Sequence, residues 1–223
     1  MLMAEAGYAV VLVGRTASKL DDSIAMIREE LADVVDGEVQ LHAIAADLAD
    51  AGACAQVVEE TVSTFGRLDA LANVAGDAPL QPIDRIEEDV FDACIANNLK
   101  SVAFLTKAAW PHFKKQRSGA VCCVSSMAAF DPFKGFNIYA AAKAGVNLFV
   151  KAAADEGARL NVRAAAVAPG AIETPMLRQN FSEKAIPEAN ALDPLIIAGV
   201  IRDLLTGKRE HAPGECVQVP SPH

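Results

Sequence analysis

The sequence predicts an α/β fold: a parallel sheet covered on both faces by helices. Short apolar runs rich in Val, Ile and Ala alternate with longer stretches of helical period along all 223 residues. The strand-like runs are continuously apolar rather than alternating, the pattern of strands buried on both sides. Each cluster of polar, chemistry-bearing residues falls just past the C-terminal end of such a run, where parallel sheets bind their ligands. A chain of this length builds one substantial core, and no repeat, low-complexity stretch or linker divides it, so residues 1–223 are expected to form one domain.

The elements follow in order. Tyr8 to Gly14 is the first strand, and a helix runs from about Ser18 to Val34. Val39 to Ala45 is a strand ending at Asp47-Leu48, followed by a helix from about Gly52 to Phe65. Leu68 to Val74 is a third strand, closed by Asn73-Val-Ala-Gly76. After a loop with Pro79 and Pro82, one long helix is expected from Glu87 to Lys115. Ala120 to Ser125 is a strand, Asn137 to Glu156 a helix, and Asn161 to Ala168 a strand ending at Pro169-Gly170. Two helical stretches precede a last short strand near Glu215 to Val219.

A net charge of −9 leaves no basic face for neutralising phosphates, which argues against a general nucleic-acid binder. The densest basic run, Lys114-Lys115-Gln116-Arg117, suits a solvated helix end. Cys54, Cys94, Cys122, Cys123 and Cys216 are odd in number, lack CxxC spacing and read as small hydrophobes in a reducing compartment. His42, His112, His211 and His223 have no metal-ligand spacing and are expected to be structural or at the surface. No apolar run reaches the roughly 20 residues that span a bilayer. Met1-Leu-Met-Ala-Glu5 lacks a basic, then apolar, leader pattern, so a cytoplasmic protein is expected.

The chemistry concentrates in Val121-Cys-Cys-Val-Ser-Ser126 and Tyr139-Ala-Ala-Ala-Lys143. A phenol and an ammonium four residues apart on a helix share one face, about 6 Å apart along the axis. A cation so placed is expected to favour the phenolate and lower the tyrosine pKa from its usual value of about 10. A serine hydroxyl at a neighbouring strand end can then hold a substrate oxygen beside the phenol. Together these groups suit proton transfer at a carbonyl oxygen while hydride moves at carbon.

These residues resemble those of the short-chain dehydrogenase/reductase family, and the resemblance covers essentially the whole chain. Asn73-Val-Ala-Gly76 is similar to the family's Asn-Asn-Ala-Gly strand end; Asn98 matches the tetrad asparagine, with Asn97 as the neighbour most easily mistaken for it. Ser126, Tyr139 and Lys143 match the tetrad serine and the Tyr-x-x-x-Lys pair. Pro169, Gly170, Ile172 and Thr174 resemble the loop that contacts the nicotinamide carboxamide. The resemblance implies a Rossmann-like doubly wound sheet and a catalytic set of Asn98, Ser126, Tyr139 and Lys143. The family opens with a strand and a glycine-rich phosphate turn; here Leu2 to Ala6 looks like the last turn of the following helix, capped by Gly7. Three explanations stay open: a recorded start that is short, a shortened relative with weakened dinucleotide binding, or a partner strand filling the place.

The resemblance further implies hydride transfer between NADP(H) and a small or medium carbonyl/alcohol pair. Gly14-Arg15-Thr16 carries no carboxylate where one would bind a ribose 2′-hydroxyl, and the Arg15 fork pairs with a 2′-phosphate, favouring NADP(H) over NAD(H); alternatively Arg15 merely lines its loop. Asp47 and Leu48 would flank the adenine, though Asp47 could equally cap the next helix, and Asn73, Ala75 and Gly76 would line the adenosine ribose. Tyr139 and Lys143 would also touch the cofactor, Lys143 through the nicotinamide ribose. Phe181, Ile186 and Leu192 form an apolar substrate wall or pack as ordinary helix residues; Phe130, Phe133 and Phe136 mildly favour an apolar or aromatic carbonyl compound. A homo-oligomer, dimer or tetramer, is implied. The rival reading is a non-catalytic, interaction-type relative that has lost the dinucleotide.

Overall fold

The computed structural model describes residues 1–222. The apolar runs become six strands, all parallel: β1 (Val10–Gly14), β2 (Leu41–Ala45), β3 (Ala70–Asn73), β4 (Gly119–Val124), β5 (Val162–Pro169) and β6 (Cys216–Val219). They form two sheets rather than one, β1-β2 and β3-β4-β5-β6. The longer helices are α2 (Ala17–Leu31), α3 (Ala51–Phe65), α5 (Ser101–Gln116), α6 (Asn137–Gly157) and α8 (Pro194–Thr206); α1 (Leu2–Glu5), α4 (Glu88–Ile95) and α7 (Pro175–Asn180) are shorter.

Period-two alternation along the central strands explains the layering. Val121 and Cys123 of β4, with Ala164 and Ala166 of β5, face Val102 and Phe113 of α5 and Val146 and Val150 of α6. The intervening Ala120, Cys122, Ala165 and Val167 face Ile197, Leu204 and Leu205 of α8. The small side chains of β5 let helices approach on both sides, and full burial of each large apolar residue contributes about 1.5–3 kcal/mol.

Between β1 and β3 runs a cavity of about 1240 Å³, lined by Val10–Val13, Val57, Val58, Leu68–Asn73, Leu105 and Leu205. Strand parity shows which backbone groups point into it. Val10 N–H donates to Gln40 and Gly14 C=O accepts from Ala46, so residues 10, 12 and 14 face β2. Asp69 C=O accepts from Ala120, so residues 69, 71 and 73 face β4. The N–H and C=O groups of Val11, Val13, Ala70 and Ala72 therefore turn toward the cavity.

Several boundaries differ from the sequence expectation, each for a local reason. β1 starts at Val10 because Tyr8 N–H is taken by Met3 C=O, closing α1; Gly7, at φ +85°, makes the reversal. The cap of α3 is Asp50, whose side chain accepts from Gly52 N–H, whereas Asp47 bonds Ala49 N–H in the preceding turn. The expected helix from Glu87 to Lys115 is present as one helical run from Glu88 to Gln116, but a π-helical turn, Ala96–Lys100, is wound into it between α4 and α5. One residue too many for an α-helical turn is wound in there, a distortion that concentrates at functional sites.

Candidate active site

All strands run the same way, so the ends of β1 through β5 open on one edge of the molecule. The sequence-predicted residues fall there: Arg15 after β1, Asp47 and Leu48 after β2, Asn73, Ala75 and Gly76 at β3, Ser126 after β4, and Pro169 to Thr174 at β5. The edge brings Asn98, Ser126, Tyr139 and Lys143 into one cluster. Arg15 and Asp47 are exposed at its far end.

Lys143 is buried, and its ammonium donates to Val124 C=O at 2.8 Å. The head lies 5.7 Å from the Tyr139 ring centroid, under the ring face. Burial lowers the lysine pKa to about 8, an effect opposed by Cys123, Cys94 and Asp77. Tyr139 departs from expectation in the opposite sense to that read from spacing. Its phenol is pushed up by burial, with a lowering contribution from hydrogen bonding to Ser126. Four-residue spacing places the two side chains on one face; it does not reveal that the fold buries Lys143, half-buries Tyr139 and points the ammonium at a strand carbonyl. Ser125, by contrast, bonds backbone, donating to Lys143 C=O at 3.3 Å. Ser126 Oγ accepts from Ala128 N–H at 3.1 Å.

Asn98, fully buried, sits on the π-helical turn. Its Nδ2 donates to Asp77 C=O at 2.9 Å, Asp77 Oδ1 at 2.8 Å and Cys94 C=O at 2.9 Å. Its Oδ1 is buried without a partner, as is Asn73 Oδ1. Gly76 is needed for close approach: a Cβ there would lie 2.5 Å from Asn98 Oδ1 and 3.4 Å from Lys143 Nζ. Neighbouring Asn97 bonds Asp77 Oδ2 at 2.7 Å. Asp77, missed in the sequence, carried no signal there because its partners lie 20 and 21 residues away.

Phe136 packs 5.4 Å from the Tyr139 ring, and Phe181 of the segment after α7 lies 5.8 Å from Phe136 and 6.2 Å from Phe133. Phe136 and Phe181 thus form an aromatic wall beside the phenol, with Phe133 at its exposed rim, while Phe130 is exposed and Leu192 buries itself on Ile172 instead. Asn180 Nδ2 donates to Ala78 C=O at 2.8 Å, tying the end of α7 to the loop after β3. Thr174 caps α7, accepting from Leu177 N–H. Cys54, Cys94, Cys122 and Cys123 are buried and, with half-buried Cys216, unpaired. His42 pairs with Glu60, His112 with Glu59, and His211 with backbone, while His223 lies outside the described residues. Among the described residues no helix is long and apolar enough to cross a membrane.

A model of the short chain dehydrogenase family matches residues 1–185. The chain belongs to that family. It is 34% identical over 226 aligned residues to the 3-oxoacyl-(acyl-carrier-protein) reductase of Thermotoga maritima, covering 98% of this chain and 89% of the relative. The corresponding reductase of Staphylococcus aureus is also 34% identical, over 97% of this chain and 88% of its own. Among solved structures, levodione reductase superposes with a TM-score of 0.88 at 25% identity, covering 98% of this chain and 89% of that one. Membership makes the protein an NAD(P)-dependent oxidoreductase with a Rossmann-like sheet, and the scaffold-only alternative is not favoured.

Proposed function

We propose that the protein moves a hydride between NADP(H) and a carbonyl/alcohol pair, with Tyr139 as proton donor in reduction and acceptor in oxidation. The observation that carries this reading is the convergence of Ser126, Tyr139, Lys143 and Asn98 beside an aromatic wall at the carboxyl edge of the sheet. Ser126 holds the substrate oxygen against the phenol. Lys143, buried and cationic below a pH of about 8, stabilises negative charge that develops on the phenol oxygen. Phe136 and Phe181 shield the carbonyl from water and favour an apolar substituent. An acetoacetyl thioester is the first substrate to try, since the two reductases compared act on 3-oxoacyl groups.

The cofactor fits one half of the edge well. Unpartnered Asn73 Oδ1 and Asn98 Oδ1, the Lys143 ammonium and the Pro169–Thr174 loop suit the ribose and nicotinamide ends. When bound, the nicotinamide supplies or takes the hydride. Exposed Arg15, with no carboxylate at Gly14 or Thr16, supports NADP(H) over NAD(H). Tyr139→Phe is expected to abolish turnover of the thioester while NADPH binding by calorimetry is retained; undiminished turnover refutes the role of Tyr139. Equal affinities for NADPH and NADH, or no loss of preference in Arg15→Ala, refute the role of Arg15.

The diphosphate end needs more than the described residues offer. We propose that the cavity between β1 and β3 seats a further parallel strand whose following glycine-rich turn binds the diphosphate. Val11, Val13, Ala70 and Ala72 supply two facing rows of backbone donors and acceptors for it. A chain extended at its amino end by an apolar strand and such a turn is expected to protect these four amides from hydrogen exchange and to bind NADPH more tightly. Unchanged exchange in the extended chain rejects the seat. Five unpaired cysteines suit a reducing cytoplasm, and one domain over residues 1–223 suits the shared core. Exposed Phe91 on α4 and Leu148 on α6 suit a homo-oligomer built on those helices, which a light-scattering mass of one chain refutes.

A further inference from the structure

Consecutive residues on a regular α-helix point about 100° apart, so neighbouring amides do not ordinarily reach one carboxylate. The wide turn at Ala96–Lys100 overcomes this: Asn97 Nδ2 reaches Asp77 Oδ2 at 2.7 Å while Asn98 Nδ2 reaches Asp77 Oδ1 at 2.8 Å. With its Nδ2 held, Asn98 must turn Oδ1 the other way, onto the face of Gly76 that Lys143 Nζ also occupies. We propose that Asp77 is a positioning residue, clamping both amides so that Asn98 Oδ1 stays beside the Lys143 ammonium and supplying the anion that holds that ammonium charged. The inference rests on the proposed reading of Lys143 and Asn98 as site residues and adds a group that reading does not contain.

The surroundings of Lys143 leave this part to Asp77. The titratable groups facing it are Tyr139 on its own helix, Cys94 from α4, Cys123 from β4, and Asp77 from the loop after β3. Cys94 and Cys123 are both pushed up to about 11, so near neutral pH they are thiols without charge. Asp77 is the carboxylate among them. It opposes the burial that brings Lys143 down to about 8, and so keeps the proton on the amine in the range where an enzyme works.

The test is a titration of apoprotein labelled with ¹³C at lysine Cε, the Lys143 signal assigned by its loss in Lys143→Arg. Asp77→Asn keeps the shape but removes the charge and sets an NH2 group against an amide donor. The Lys143 midpoint is expected to fall by roughly one pH unit in this variant. Asp77→Glu, which retains charge and both acceptors, is expected to keep most of the parent value. Asp77→Ser, smaller and uncharged, substitutes for Asp77→Asn should that variant fail to fold. A midpoint unmoved in the uncharged variants, or moved as far in Asp77→Glu, overturns the proposal. In turnover assays the pH limb governed by Lys143 is expected to shift with the midpoint, lowering kcat more than raising KM. Absence of turnover in every chain, parent included, counts against the catalytic reading alone, because the titration needs neither cofactor nor substrate.

Discussion

Replacing Lys143 by Met should make the protein's stability less dependent on pH, by an amount the structure fixes. Lys143 is 4% exposed and its pKa falls from 10.5 to about 8 on folding. At about 1.36 kcal/mol per unit, keeping that ammonium charged inside the fold costs about 3 kcal/mol at pH 7. The folded pKa is the lower one, so between about 8 and 10.5 the unfolded chain binds more protons, and stability rises with pH across that window. From pH 7 to pH 10 the parent should gain about 2.5 kcal/mol through this group, and Lys143→Met none. The variant also orphans Val124 C=O, which accepts from Nζ at 2.8 Å; that loss, about 1–3 kcal/mol, is independent of pH and drops out of the comparison. Urea unfolding of both proteins at pH 7 and pH 10 measures the double difference. Parallel stabilities at the two pH values would show that Lys143 is not held as its burial requires.

Three further outcomes are expected. Phe113→Ala should lower unfolding free energy by about 3–5 kcal/mol in urea titration, because the ring is fully buried between α5 and the sheet. Gly157→Ala should destabilise by about 1–3 kcal/mol, since its Cβ would fall 2.7 Å from Val162 C=O, a backbone atom that cannot swing aside; a thermal melt within a degree of the parent contradicts this. Asn98→Leu should cost about 1–3 kcal/mol by leaving Cys94 C=O and the Asp77 carboxylate short of a donor, and a variant as stable as the parent in urea contradicts it.

Much of this was legible in the residues. The continuously apolar runs marked every strand, and Tyr139-x-x-x-Lys143 marked one helix face, because both patterns follow directly from backbone period. What stayed hidden depended on contacts distant in sequence. The extra residue wound into Ala96–Lys100 leaves no trace in apolar periodicity, since Val102, Leu105 and Ala109 keep helical spacing after it. The cap of α3 fell to Asp50 rather than Asp47, a choice between two carboxylates in one turn. The rise in the Tyr139 pKa could not be read from a neighbouring cation, because burial is a property of the assembled fold.

The divided sheet also has a mechanical meaning. With no ladder of backbone bonds joining β1 to β3, cohesion between the two parts of the molecule falls largely to α3 lying on α5, where Val57 and Val58 meet Leu105. Side-chain packing tolerates sliding that a hydrogen-bonded ladder forbids, so slow breathing motions should follow that seam. Arg15 rides on one side of it and Tyr139 on the other, so whatever stiffens the seam also sets the span between the two ends of a ligand lying across it.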